Sequence, residues 1–314
     1  MIYVVVPNFN ISGGIKVGCQ WVRLLLDNGF EAAVVTPEPQ QCPAWLGFDV
    51  PTLGYRDMQN NAAVKVVHIW LDCLKEIGDT VSYAQTYYFA QDCAQPQYVN
   101  TWPGRFETEY LPLLRGCTLI TVSHSTRRWY LHRYGLRSRV VHNWVDHNRF
   151  RCPEVGAGME EAVMIRHRDH FDDAVFESLR PRVVLAEGTQ DQVADTLRRA
   201  RVFVSCARGR ADGYEFSEGL PMPILEAMAS GCVPICPDTN GVRDVIIHGV
   251  NGWLLENVNG VADNPVAYAD ALDHAMGNDL VKMAEDTCPA TAAAISHHGR
   301  LAMFSALGLP TPQI

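Results

Sequence analysis

From Arg201 to Cys236 the chain permits few architectures. Arg201-Val-Phe-Val-Ser205 reads as a short buried strand, a loop follows, Pro223 opens a helix that Gly231 ends, and Val233-Pro-Ile-Cys236 reads as the next strand. A strand, loop, helix, strand unit places ligands at the carboxyl ends of parallel strands, where helix N-termini point. Within it, Glu218 and Glu226 stand across the helix start in the run Glu218-Gly-Leu-Pro-Met222-Pro223-Ile224-Leu225-Glu226. Pro223 suits a first helical position, because its missing N–H is one the helix leaves unused. The free amides of Ile224, Leu225 and Glu226 are then expected to face outward at the positive end of the helix dipole, a seat for a diphosphate without a metal. Glu218 is placed to accept hydrogen bonds from sugar hydroxyls, and Glu226 from a ribose. A helix cap beside one dipole-stabilised glutamate is the plainer reading of the same residues.

At 314 residues and 47% hydrophobic content the chain can bury a large core, and the usual domain size favours two domains. A net charge of -9 argues against nonspecific binding to nucleic acid, while local basic clusters stay open. No apolar run approaches the roughly 18 residues that span a bilayer, and no charged region precedes Ile2-Tyr-Val-Val-Val6. The expectation is a cytosolic protein without signal peptide or transmembrane helix. The ten cysteines are scattered and lack a Cys-x-x-Cys spacing, so they read as reduced and mostly buried.

Ile2 to Val6 reads as a central parallel strand, Pro7 to Gly14 as a loop, about Ile15 to Asn28 as a helix and Glu31 to Thr36 as a strand, one βαβ unit. Gly13-Gly14 lets the backbone approach a phosphate, although it is not the full dinucleotide fingerprint and by itself reads first as a tight turn. Pro37 to Asn61 reads as loop and short helix. Further strands are expected at Val64–Trp70, Val81–Ala90 and Cys117–Ser123, with a helix from Phe106 to Leu114 and another capped by Ser123 or Ser125. In the second half, strands are expected at Glu161–Arg168 and Arg182–Glu187. Helices are expected at Asp172–Leu179, Asp191–Arg199, Asn264–Ala275, Leu280–Glu285 and Ala292–Leu307.

The run from Glu218 continues through Asn240-Gly241-Val-Arg-Asp-Val-Ile-Ile-His-Gly249-Val-Asn-Gly252-Trp-Leu-Leu, and the whole closely resembles the signature of family 4 glycosyltransferases, retaining nucleotide-sugar enzymes of GT-B fold. Ser123 after a strand, followed by Asn143-Trp-Val-Asp146 and Phe150, resembles their interdomain junction. The resemblance implies an α/β protein with two Rossmann-like, doubly wound domains facing across a cleft. The first domain, 1–150, would take the acceptor and the second, 151–290, the donor, with a helix in 291–314 packing back on the first. It implies a retaining, metal-independent hexosyltransferase that moves a sugar from a nucleoside diphosphate sugar to a hydroxyl of a glycan or small-molecule acceptor. No cofactor is expected beyond that co-substrate, and no nucleic acid.

Fixed positive groups dominate catalysis of such a transfer, because charge builds on the leaving diphosphate. The family usually places an Arg and a Lys at the end of the first strand of its second domain. Here Arg166 takes the Arg position, His167 replaces the Lys, and Arg168 follows, a fork instead of a point charge. Gly13 and Gly14 would face the donor diphosphate, and Glu187-Gly188 falls where these enzymes hold the nucleobase. Gln91 and Asp92, after a strand, are candidates to orient the sugar or acceptor, or simply cap the strand end. His124 has the same two readings. Arg208 and Arg210 either reach the diphosphate or are exposed. His167 to Asp173 is dense in metal-type ligands, but Asp172 and Asp173 also suit a helix start, and the chain has no Asp-x-Asp. Trp129 to Tyr134 reads as helix packing or as contact with an acceptor or the inner face of a membrane. The missing Lys and the short stretch from Phe150 to Glu218 motivate an alternative, a non-catalytic GT-B partner or scaffold. A third option is a sugar-nucleotide epimerase.

Overall fold

The computed structural model describes residues 1–77, 84–93, 95–99, 102–153, 161–164, 177–205, 219–239, 241–255, 265–275 and 286–312. Two compact units emerge, Met1–His142 together with Arg300–Ile314, and Asn143–Gly299. The division falls ahead of Phe150, the junction read from the sequence.

In the first unit the strands are β1 (Ile2–Val5), β2 (Ala32–Thr36), β3 (Thr52–Gly54), β4 (Lys65–His68), β5 (Gln85–Ala90), β6 (Thr118–Thr121) and β7 (Arg139–Val140). They form one parallel sheet in the order β3-β2-β1-β4-β5-β6-β7. Every residue of β1 and β2 is buried, as continuous apolar runs require when helices cover both faces of a parallel sheet. The helices are α1 (Gly13–Asp27), α2 (Leu71–Ile77), α3 (Gln95–Tyr98), α4 (Leu111–Gly116) and α5 (His124–Tyr134). α1 ends in a left-handed Gly29 (φ 79°), with Gly29 N–H donating to Leu26 O and Phe30 N–H to Leu25 O, which satisfies the last carbonyls.

The sequence reading missed β3 and α2. Three residues, Thr-Leu-Gly, carry no alternation to detect, and β3 exists by pairing with β2. α2 is two turns long, too short to show a period. Tertiary burial of Leu71, Leu74, Cys73 and Ile77 holds it, with the Leu71 N–H donating to Gln95 Oε1 at 3.2 Å.

His68 closes β4 with its side chain fully buried, and neither ring nitrogen has a hydrogen-bond partner among the described residues. Burial alone pushes its pKa down to about 3, against 6.5 when exposed. The unfolded chain therefore binds the extra proton between those values, and stability falls as pH drops from 6.5 towards 3. We expect His68→Leu to leave stability at neutral pH equal or higher and to flatten that acid limb by a few kcal/mol, roughly. Urea unfolding at pH 7 and pH 4.5 checks this, and an unchanged slope would contradict it.

The second unit holds β8 (Glu161–Met164), β9 (Val183–Leu185), β10 (Ala200–Val204), β11 (Val233–Pro237) and β12 (Trp253–Leu255), parallel and ordered β12-β11-β10-β8-β9. Its helices are α6 (Gln190–Arg198), α7 (Met222–Ala229), α8 (Pro265–Ala275) and α9 (Cys288–Ala306). The helices read at 172–179 and 280–285 lie wholly or mostly outside the described residues. The last turns of α9 belong to the first unit, where Arg139 Nη1 donates to Ser305 O at 2.7 Å and Tyr87 OH to Leu307 O at 3.3 Å. A guanidinium on the terminal carbonyls complements the negative end of the helix. All cysteines among the described residues are free, most of them buried. No helix among those residues is long and apolar enough to cross a membrane.

Candidate active site

In each sheet the strand order reverses once, between β1 and β4 in the first unit and between β8 and β10 in the second. Ligand crevices of doubly wound sheets open at the carboxyl ends of the strands flanking such a reversal. In the second unit those ends are Met164 and Val204. The chain leaving Met164 carries Arg166, His167, Arg168, Asp172 and Asp173, and the chain from Ser205 to α7 carries Arg208, Arg210 and Glu218. All of these lie outside the described residues.

α7 itself corrects one expectation. It opens at Met222 with Pro221 as its cap, so Pro223 is the second helical residue and not the first. The Ile224 N–H donates to Pro221 O at 3.2 Å, and the amides of Leu225 and Glu226 fall within the helix's own i to i−4 ladder. They are not free. Pro221 and Pro223 have no N–H, which leaves Met222 as the first-turn donor without an intrahelical acceptor. Met222, Ile224 and Leu225 bury their side chains. Glu226 is only 5% exposed on a helix whose other residues are apolar. The helix ends as its glycine predicted: Gly231 has φ 87°, its N–H donates to Met228 O, and Cys232 N–H donates to Ala227 O.

The approach to α7 is held by a residue whose role the sequence did not reveal. Asn143 is 4% exposed and its Nδ2 donates to Leu220 O at 3.0 Å. We expect Asn143→Ala to strand that buried carbonyl and lower stability by about 1–3 kcal/mol. Thermal unfolding of the variant measures it, and no loss would mean that Leu220 O finds another donor.

Part of the motif after α7 serves architecture. Asn251 is 2% exposed, accepts from Ile247 N–H at 2.7 Å and donates to Val245 O at 2.9 Å. At the carboxyl end of β11, Arg243 forks onto Asp238, Nε to Oδ1 and Nη2 to Oδ2 both at 2.5 Å. This fixed cation was also missed. Its sequence signal, Arg243-Asp244, is indistinguishable from an exposed charge pair. Glu187 is exposed just past β9, and left-handed Gly188 (φ 106°) is required because a Cβ there would strike Gln192, which completes the capping box of α6 with Thr189.

In the first unit, Gly13 and Gly14 are not loop residues. Ser12 caps α1, its side chain accepting from Ile15 N–H, and the two glycines form the first turn. Gly13 borders open space, whereas a Cβ on Gly14 would lie 2.6 Å from Gln91 Oε1. Gln91 Nε2 donates to Gly14 O at 3.1 Å, so the close neighbour of Gly14 is this side chain from the end of β5. Asp92 follows, and its Oδ1 accepts from Gln95 N–H at 3.1 Å, the strand-end cap reading. Gln95 is 3% exposed and ties Ile69 O and Tyr88 OH to the same corner. Burial, with the Asp92 charge adding to it, pushes the Tyr88 phenol well up, so it stays a neutral donor. Ser123, and not Ser125, caps α5, where His124 is exposed with its ring 5.7 Å from that of His142.

Two such sheets in succession are the GT-B arrangement. Sucrose-phosphate synthase from Thermosynechococcus elongatus superimposes with a TM-score of 0.68 at 12% identity, covering 98% of both chains. HepE from Anabaena, solved with UDP and glucose, gives 0.68 at 12% identity, covering 98% of this chain and 99% of that one. Residues 139–278 match the family described as glycosyl transferases group 1. The chain has the GT-B fold, and over residues 139–278 it is similar to the group 1 glycosyltransferases. A similar curated protein is the amylovoran biosynthesis glycosyltransferase AmsK of Erwinia amylovora, 34% identical over 65 residues. That match spans 21% of this chain and 16% of AmsK. The family match includes β8 to α8, so the crevice between β8 and β10 lies inside it.

Proposed function

We propose that this chain is a retaining, metal-independent glycosyltransferase acting on a nucleoside diphosphate sugar. The bond from the anomeric carbon to the diphosphate breaks, the acceptor hydroxyl oxygen bonds to that carbon on the same face, and the hydroxyl proton is released. Glu218 holds the sugar, Glu226 the ribose, and Arg166 and Arg168 the diphosphate, with the Met222 N–H and the helix dipole at the start of α7. Glu187 borders the base, and Asp92 orients the acceptor with Gln91. Gly13 and Gly14 let the backbone approach the donor diphosphate.

The observation that carries this reading is the strand order of the second sheet. It reverses between the two strands whose outgoing segments hold the arginines and the Glu218 loop. AmsK is described as a biosynthetic glycosyltransferase, and HepE as binding UDP and UDP-glucose, which makes UDP-sugars the first donors to test. The acceptor is a glycan or a small molecule, and the setting is the cytoplasm at the inner face of the membrane.

Thermal unfolding with UDP-, GDP-, dTDP- and ADP-glucose tests the proposal. The true donor is expected to stabilise the fold by about 2.7 kcal/mol at a hundredfold excess over its dissociation constant. No shift with any nucleotide sugar would overturn it. A shift without transfer to any acceptor would favour the non-catalytic partner, a reading that His167 in place of the Lys supports.

A further inference from the structure

The side chain of Asn143 makes one hydrogen bond among the described residues, Nδ2 donating to Leu220 O, while its buried Oδ1 has no partner among them. An unpaired buried oxygen costs free energy, and an apolar side chain would avoid that cost but leave Leu220 O without its donor. Donation to this one carbonyl is what the amide supplies. Its base is firm, since Trp144 and Val145 are buried and the Val145 N–H donates at 3.1 Å to Oγ of Ser296, a fully buried residue. The held carbonyl belongs to the peptide that enters Pro221, whose ring fixes φ at -68°. Any turn of that peptide plane therefore carries Pro221 with it. Pro221 O is held in turn by the Ile224 N–H, and the amide between them in the chain is that of Met222, the first-turn donor of α7. Glu218 stands two residues before Leu220 in the sequence. The bond from Asn143 thus acts midway along the chain between the groups assigned above to the sugar and to the diphosphate.

We infer that Asn143 is a positioning residue for sugar transfer, setting through Leu220 O the backbone from which Met222 N–H meets the diphosphate and Glu218 meets the sugar. At 4% exposure it touches neither ligand itself. The inference rests on the glycosyltransferase reading above and adds to it a residue outside the contact set. Groups that must meet a transition state lose rate steeply when displaced, because a shift of about 1 Å can cost a hundredfold. A role confined to stability would instead lower the amount of folded protein and leave the turnover of each folded molecule unchanged.

Release of nucleoside diphosphate from UDP-, GDP-, dTDP- or ADP-glucose by the full chain tests it, measured well below the thermal midpoint of each variant. Asn143→Ala is expected to lower turnover about tenfold to a hundredfold and to change KM for the donor less, because the arginines assigned to the diphosphate are untouched. Asn143→Asp keeps the shape but, as a carboxylate, turns an oxygen on Leu220 O and repels it. Once protonated, its O–H donates as the amide does. Burial raises the pKa of such a carboxyl, so turnover of this variant relative to the parent at the same pH should climb as pH falls from about 8.5 to about 6. Should Asn143→Ala fail to fold, that pH profile decides. Parent-like turnover in the alanine variant, a loss confined to KM, or a flat ratio in the aspartate variant would each overturn the inference alone. A parent that releases nucleoside diphosphate from none of the four donors would overturn the glycosyltransferase reading and the inference with it.

Discussion

Glu218→Ala is expected to lower the rate of sugar transfer by about two to three orders of magnitude while the protein stays folded. The argument rests on the proposed role of the carboxylate. Hydrogen bonds to an ionised acceptor are about twice as strong as neutral ones, and those to the sugar hydroxyls hold the anomeric carbon with the face it shares with the diphosphate turned to the acceptor oxygen. Alanine removes them all. Glu218→Gln keeps shape and one acceptor oxygen, so it should retain more activity than alanine. Transfer from UDP-glucose, once an acceptor is found, measures both. Donor affinity should change less than turnover, because the diphosphate and ribose contacts are untouched. Equal turnover in the parent and Glu218→Ala would remove the glutamate from the mechanism and with it the proposed geometry.

Gly252→Ala is expected to destabilise the protein by roughly 1–3 kcal/mol through overpacking. A Cβ at this position would lie 2.9 Å from both Pro234 Cγ and Pro234 O, and 3.0 Å from Ile246 Cγ2. None of these atoms is the free end of a flexible side chain. Gly252 O also accepts from Gly249 N–H at 2.9 Å, so displacing the backbone opens the turn that precedes β12. The midpoint of thermal unfolding should fall by roughly 2–12 °C, given the size of the unit. A variant as stable as the parent would show that β11 and β12 can separate without loss. At Gly14 the same substitution meets Gln91 Oε1, which can swing aside, so there the main loss is the Gln91 hydrogen bond.

Both signals that made the fold legible in the sequence were local. Continuous apolar runs such as Ile2–Val5 and Val202–Val204 are required of strands buried on both faces, and the glycines at 29 and 231 stop helices because they accept a left-handed backbone. Those two rules recover most of the strands and the long helices. They miss β3, α2 and β12, which are too short to show a period and exist because neighbours bury them. At the α7 start the local rule misled. Proline suits the first helical position in general, yet Pro221 as cap lets its carbonyl take the Ile224 N–H. The bond to Pro221 O takes Ile224, and the one-residue shift of the helix start takes Leu225, from the expected anion donors.

Side-chain roles divide the same way. Two glutamates before and within a helix that follows a buried strand are visible in residue order, because that order alone puts them at a strand's carboxyl end. The pairing of Asn143 with Leu220, of Gln91 with Gly14, and of Arg243 with Asp238 depends on which groups meet. Local pattern encodes what a segment becomes, since propensity and burial act within a few residues. Which distant atoms then share a hydrogen bond is settled by packing, and the reversal of strand order between β8 and β10 comes into being only when both sides of the sheet are assembled.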